Sequence, residues 1–323
     1  MYDLVIIGGG PSGINIAISA RRAGLNYVIL EKGKLVNSLF NFPVNMTFFS
    51  TSQKLEIGDV PFISHGEKPT RREAMEYYRR LVQSYELNLH LYEPVTHVDR
   101  SGEDYEVHST KDAYPTRAVA VATGFYDTPR LLDVPGEDLP KVKHYYDDAH
   151  VYLDQDVLVI GAANSACDAA LECWQKGARV TMAVRGTEIY DKVKYWIKPN
   201  IENRIAEGSI PAHFETEVTA IRPNEVDLRG PDGDFTIKND WVLAMTGYQP
   251  NYDLLAKIGL DISRDDKCIP VHRSETLETN LPRVYLAGVV CAGKQTSKLF
   301  IENTRDHGDI IVDDLVKKLG VPA

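Results

Sequence analysis

The chain has 323 residues, a length that at about 150 residues per domain argues for roughly two domains rather than one small module. With 43% apolar and 25% charged residues, its composition is that of an ordinary globular protein and excludes collagenous, low-complexity and disordered classes. The 46 acidic residues outnumber the 36 basic ones, and a net charge of -10 repels a phosphate backbone or an anionic membrane, so neither nucleic acid nor a membrane is expected as a partner.

Residues 4–32, LVIIGGGPSGINIAISARRAGLNYVILEK, predict a βαβ unit: a β-branched strand, a glycine-rich turn, a helix ended by Gly24 and a second strand. In the turn, Gly8 permits the tight bend, Gly10 lets the backbone approach a pyrophosphate and Gly13 lets the helix pack on the strand. Pro11 and Ser12 complete the loop, and the helix N-terminus faces the phosphates. Glu31, with Lys32 beside it, ends the second strand where a carboxylate can accept hydrogen bonds from an adenosine ribose.

Ala118–Gly124, AVAVATG, is an apolar strand ending in Thr123 and Gly124, and Trp241–Gly247, WVLAMTG, repeats the pattern. Read as crossover points, they divide the chain into a discontinuous domain, 1–124 and 248–323, and an inserted domain, 125–247. The alternative is two unrelated buried strands.

Between them, residues 157–185, VLVIGAANSACDAALECWQKGARVTMAVR, form a second βαβ unit, and the same offset, 153 residues, separates Gly8 from Gly161 and Gly24 from Gly177. Two copies in register carry far more weight than one glycine motif. Here Val184 stands in the place of Glu31 and Arg185 follows it. An arginine pairs with a 2′-phosphate in a charge-assisted contact worth about 1.5–3 kcal/mol, which favours NADPH over NADH, unless Arg185 is only a solvated strand-end side chain. Ala163 and Ala166 replace the second and third glycines. Lys192 and Lys194 either add to Arg185 at the phosphates or are solvated.

Near the C-terminus, Val284–Ala287 predicts a strand running into Gly288, with a helix from about Ser297. That helix either directs its N-terminus at a flavin, where its dipole stabilises the reduced ring by about 0.3–2 kcal/mol, or is an ordinary amphipathic terminal helix. His307 is a weak candidate proton donor, against a capping or packing role, and Cys291 a weak candidate thiol, against a small buried hydrophobe. The histidines show no H-x-x-x-H or H-E-x-x-H spacing, so no metal site is expected. Four irregularly spaced cysteines form no disulfide framework. With no apolar run of about eighteen residues and no signal-peptide core, a cytoplasmic protein is expected.

The stretches GGGPSG, GAANSA, DKVKYWIKPNIENRIAEGSI (191–210) and LFIENTRDHG (299–308) resemble, along essentially the whole chain, the thioredoxin-reductase-like pyridine nucleotide-disulfide oxidoreductases, and among them most closely the bacillithiol disulfide reductase group. The resemblance implies an α/β fold of two Rossmann-like domains, an NADPH domain inserted into a split FAD domain, in a homodimer. It implies FAD on Gly8, Gly10, Gly13, Glu31, Thr123, Gly124 and Gly288, and NADPH on Gly161, Asn164, Ser165 and Arg185. Two departures matter. Ser12 stands where members of the group carry a cysteine, which closes any route through that thiol, and Val289 replaces the usual Asp after the final glycine.

Thioredoxin reductases use a C-x-x-C shortly after the second loop. Here the nearest thiols are Cys167 and Cys173, placed by 3.6-residue turns on largely different faces of one helix and expected to be buried packing residues. The first expectation is therefore hydride transfer from NADPH to flavin N5 and on directly to a low-molecular-weight disulfide. The second is reduction of a protein acceptor such as ferredoxin or flavodoxin, docked on a basic patch around Arg71–Arg72 and Arg79–Arg80. A third is a flavin-binding redox sensor with little turnover, and a flavin monooxygenase comes last.

Overall fold

Leu4–Ile7, Tyr27–Leu30 and Val119–Val121 are apolar and buried at every position, as strands covered on both faces must be. In the computed structural model, which describes residues 1–320, they pair in parallel, with Leu4 opposite Tyr27 and Val5 opposite Val119. Val284–Leu286 and Leu89–His90 extend the sheet on its two sides to five strands. The helix Pro11–Arg22 connects the first two strands. A three-stranded antiparallel sheet, Val95–Thr116, precedes the strand Val119–Val121.

The second half repeats this arrangement. Asp156–Ile160 lies between Arg179–Ala183 and Trp241–Ala244, all parallel, with Ala212–His213 and Val142–Lys143 at the edges. The helix Asn164–Gln175 makes the connection, and the antiparallel strands 217–238 precede the crossover strand. Alternation sorts the central strand. Val157 and Val159 join the apolar cluster with the helix, while Leu158 and Ile160 join the cluster with Val218, Val226 and Leu228 of the antiparallel sheet.

Two compact units result. One holds Met1–Asn41, Met46–Thr128 and the segment from Tyr248 onward, and the other holds Phe42–Asn45 and Pro129–Gly247. The boundary falls after Thr128 rather than Gly124. Phe42–Asn45, expected in the first unit, packs with the second because Val44 donates its amide to Asp147 O (3.0 Å) and Asn45 Nδ2 donates to Glu172 Oε1 (2.7 Å). No helix among the described residues is long and apolar enough to cross a membrane.

The terminal helix departs from expectation. It spans His307–Leu319 instead of starting near Ser297, and 288–303 contains two short 3-10 turns. Its N-terminus has no side-chain cap of its own. The Gly308 amide donates instead to Asn15 Oδ1 at 2.9 Å, so the start of this helix is set by a residue of the first helix.

Candidate functional site

In the first unit the strand Leu4–Ile7 exits into Gly8, whose φ of +114° lies in the region that favours glycine. A Cβ there would meet Ala122 O at 2.5 Å. A Cβ on Gly13 would sit 1.9 Å from Gly8 O, so the helix packs on the loop only because that position is bare. Gly10 differs. Nothing of the protein lies within 4 Å of its would-be Cβ, so its glycine serves no packing need of the fold. It is also the N-cap of Pro11–Arg22, a helix start without a side-chain cap, which leaves amide donors for an anion.

Around this loop, Glu31 is buried and accepts from Gly9 N (2.7 Å) and Gly33 N (2.8 Å). Burial pushes its carboxyl pKa above the ordinary value, and the two amides partly offset that. Lys32 pairs with Asp127 at 2.9 Å. Gly288, at φ +77°, is so close to Ser12 that a Cβ would be 2.2 Å from its Oγ. Thr123 Oγ1 is shielded from solvent and has no hydrogen-bond partner. Its counterpart in the second unit, Thr246, donates to Arg130 O at 2.6 Å. An orphaned hydroxyl beside the glycine loop is free to hydrogen-bond a bound dinucleotide.

The two weak catalytic candidates take structural positions. His307 is buried and its Nδ1 accepts the Gly288 amide at 3.1 Å, so the ring proton sits on Nε2. Burial lowers its pKa and keeps it neutral. Cys291 is buried and its thiol is pushed up to about 12 by desolvation, the opposite of an activated thiolate.

In the second unit Gly161, at φ +125°, approaches Met245 O as Gly8 approaches Ala122 O, with a would-be Cβ at 2.7 Å. The helix Asn164–Gln175 again begins without a side-chain cap, at Ala163. Asn164 Oδ1 accepts the Lys194 amide (2.9 Å) and Tyr190 N donates to Ala162 O (3.1 Å), fastening the segment after Ile189 over the loop. Lys194 and Lys192 thereby part company. Lys194 Nζ is committed to Asp168 at 2.9 Å, whereas Lys192, like Arg185 and Ser165, is exposed, and neither basic group pairs with an acid among the described residues.

Cys167 and Cys173 are fully buried in one apolar cluster, are not joined, and have thiols raised to about 12 by burial. The basic patch on the helix Arg71–Ser84 is partly engaged within the protein. Arg71 bonds to the Leu39 and Phe40 carbonyls, and Arg79 and Arg80 both pair with Glu76. Two features lay outside the reach of sequence spacing. One is the contact network of Asn15, Gly288 and His307. The other is a group of His97, Asp99 and His108 able to hold a metal, which arises from strand pairing and not from a helical His spacing.

Two parallel sheets, each with a glycine turn pressed against the carbonyl end of a Thr-Gly crossover strand, define a two-Rossmann-domain α/β protein. The chain belongs to the pyridine nucleotide-disulphide oxidoreductases, whose family profile matches residues 5–288, and it is an oxidoreductase of that family. It is 44% identical over 316 residues, 97% of each chain, to the bacilliredoxin reductase of Bacillus subtilis. The bacillithiol disulfide reductases of Staphylococcus aureus and Bacillus cereus have the same fold at 42% identity. Their TM-scores are 0.95 and 0.96, with 98% of this chain covered in both and 98% and 99% of theirs. Family membership implies a flavin and a pyridine nucleotide.

Proposed function

We propose that the chain is an NADPH-dependent FAD protein that reduces a disulfide of the bacillithiol class without an internal dithiol. The observation that carries this reading is the orphaned Thr123 hydroxyl beside Gly8 of the glycine loop, in a chain 42% identical to two bacillithiol disulfide reductases and 44% identical to a bacilliredoxin reductase. FAD would be held by Gly8, Gly10, Pro11, Ser12, Gly13, Glu31, Lys32, Thr123, Gly124 and Gly288. NADPH would be held by Gly161, Asn164, Ser165, Arg185 and Lys192. When bound, the flavin supplies a two-electron acceptor at N5 for hydride and a donor for the disulfide. The balance is NADPH, one proton and one disulfide giving NADP and two thiols.

The chain's own residues bind and orient. The uncapped helix at Gly10 offers amides to a pyrophosphate, Glu31 fixes the loop through Gly9 and Gly33, and Arg185 offers an unpaired guanidinium to a 2′-phosphate. Direct delivery to the acceptor is favoured because Cys167, Cys173 and Cys291 are buried with raised pKa values. Arg79 and Arg80 share the one carboxylate of Glu76, which halves the positive charge they offer to an acidic ferredoxin or flavodoxin. The Bacillus subtilis relative, a bacilliredoxin reductase, makes a bacilliredoxin the second acceptor to compare.

The test is anaerobic reduction of the flavin-loaded protein by NADPH, followed by rapid mixing with bacillithiol disulfide, an oxidised bacilliredoxin or oxidised ferredoxin. Fast reoxidation by either of the first two is expected. Fast reoxidation by ferredoxin alone, or by none, would overturn the reading.

A further inference from the structure

The strands Val95–Ser101 and Asp104–Ser109 of the first unit pair so that His97 stands opposite His108 and Asp99 opposite Glu106. Strand alternation puts His97 and Asp99 on one face, and Glu106 and His108 on the same face of the neighbouring strand. A His-x-Asp and a Glu-x-His running antiparallel thus bring two imidazoles and two carboxylates together. The imidazole rings stack, with centroids 4.3 Å apart and planes 5° from parallel. His108 Nε2 lies 3.3 Å from Asp99 Oδ2 and 3.2 Å from Glu106 Oε2, and His97 Nε2 lies 3.6 Å from the same Asp99 oxygen. Ligands of a tetrahedral ion bound at about 2.0–2.2 Å stand roughly 3.3–3.6 Å from one another, so the three imidazole–carboxylate spacings match ligating ones, while the stacked rings, whose lone pairs lie in their planes, must turn out of the stack to share one ion.

Three further observations point to a cation. His108 Nε2 is shielded from solvent yet has no hydrogen-bond partner, although two carboxylates flank it. The Thr96 hydroxyl donates its one proton to His108 O at 3.1 Å and so accepts from His97 Nδ1 at 2.9 Å. That fixes the ring proton on Nδ1 and leaves the Nε2 lone pair directed into the cluster, the outer-nitrogen arrangement of metal-bound imidazoles. Finally, among the described residues neither Asp99 nor Glu106 pairs with a lysine or arginine, so two carboxylate charges face two imidazoles with no permanent counter-charge.

We propose that His97, Asp99 and His108, whose ligand atoms lie within 4.8 Å of one another, form a site for one transition-metal dication of the Zn2+ class, bound through both Nε2 atoms and an oxygen of Asp99, with Glu106, 3.2 Å from His108 Nε2, turning in as the fourth ligand. Two imidazoles with two carboxylates suit a borderline ion such as Zn2+ and not Mg2+, which prefers oxygen ligands and retained water. The charges also match, since two carboxylates neutralise a dication. With Asp99 65% exposed, the ion exchanges with solvent and does not hold the fold together.

The experiment uses tag-free, flavin-loaded protein titrated calorimetrically with ZnCl2 in a non-chelating buffer. A Co2+ titration followed by visible absorption supplies a second readout on the wild-type protein. One Zn2+ per chain is expected at micromolar protein, undisturbed by millimolar Mg2+, with Co2+ giving the intense visible bands of a four-coordinate site. Both the His97→Gln/His108→Gln and the Asp99→Asn/Glu106→Gln variants should weaken Zn2+ binding by at least about tenfold, since every ligand pair is needed. Unchanged stoichiometry and affinity in the histidine variant would overturn the proposal, as would a wild-type protein that takes up no Zn2+ or shows only the weak octahedral Co2+ spectrum.

Discussion

Gly8, Gly10 and Gly13 look alike in sequence and answer to different constraints. Gly8 and Gly13 are required by the protein itself, through would-be Cβ contacts of 2.5 Å to Ala122 O and 1.9 Å to Gly8 O, whereas Gly10 has free space around it. Gly13→Ala should therefore cost about 3 kcal/mol or more of stability by forcing the helix off the loop. Gly10→Ala should stay within about 1 kcal/mol of wild type while losing much of its flavin, because the methyl enters only the ligand's space. Thermal unfolding of the apoprotein and flavin absorbance per chain check both. Equal loss of stability in the two variants would remove the distinction.

His307 carries a second prediction at this scale. Its folded-state pKa is depressed by burial, so its contribution to stability is complete above the unfolded value of about 6.5 and is lost as pH falls below it, when only the unfolded chain takes up the proton. Denaturant midpoints from pH 8 to pH 5 should fall more steeply in wild type than in His307→Gln, whose amide oxygen can still accept the Gly288 amide. The glycines were legible because each backbone demand is local. The role of His307 was not, because its partner, Gly288, is distant in sequence.

At the level of elements, the helices inside the two strand-turn-helix repeats were readable, and the one whose start is set by another helix was not. The strand-turn-helix units at 4–32 and 157–185 announce themselves by β-branched runs and small-residue turns. The terminal helix takes its first bond from Asn15, and Ser19 Oγ donates to Asp309 Oδ1 at 2.6 Å, so its start at His307 depends on the packing of two helices. Gly308→Ala would place a Cβ 2.3 Å from Asn15 Oδ1 and 2.9 Å from its backbone carbon, and should destabilise by about 1–3 kcal/mol in a urea titration. In the second unit, the strand-end Arg185 and the loop after it give a graded expectation. Arg185→Glu should weaken NADPH by about 10-fold to 100-fold and leave NADH nearly unchanged, and Lys192→Ala should do the same more mildly. Lys194→Ala should instead affect both nucleotides alike, since its ammonium is spent on Asp168 and acts only by holding the loop. Stopped-flow reduction at varied nucleotide concentration separates these outcomes.

For the molecule as a whole, the repeat extends further than the βαβ units and crossover strands that the sequence made legible. Beyond the βαβ units, each half adds a short edge strand, an antiparallel three-stranded sheet and a crossover strand. The halves differ chiefly in the longer connection 31–88 against 184–211, which holds the helix Arg71–Ser84. Charge at this scale argued against acidic partners, and the pairing of Arg79 and Arg80 with Glu76 weakens the local exception that sequence alone allowed. What composition and motifs do not encode is which thiols are reachable, because burial is a property of the packed chain. Cys167, Cys173 and Cys291 each have thiols raised to about 12, so at pH 7 on the order of one in 10⁵ is a thiolate able to attack a disulfide. Only Cys268 is partly exposed. A variant with all four cysteines changed to alanine, chosen over serine because a hydroxyl at the buried positions would lack a partner, should lose some stability. It should still be reduced by NADPH and reoxidised by the disulfide acceptor at close to the wild-type rate. The competing path runs through Cys291 and requires burial to be relieved during turnover. Rapid-mixing traces decide: reoxidation that collapses in Cys291→Ala, with flavin reduction by NADPH unchanged, would replace direct transfer by a thiol relay, while parallel traces in all variants leave the flavin as the sole donor.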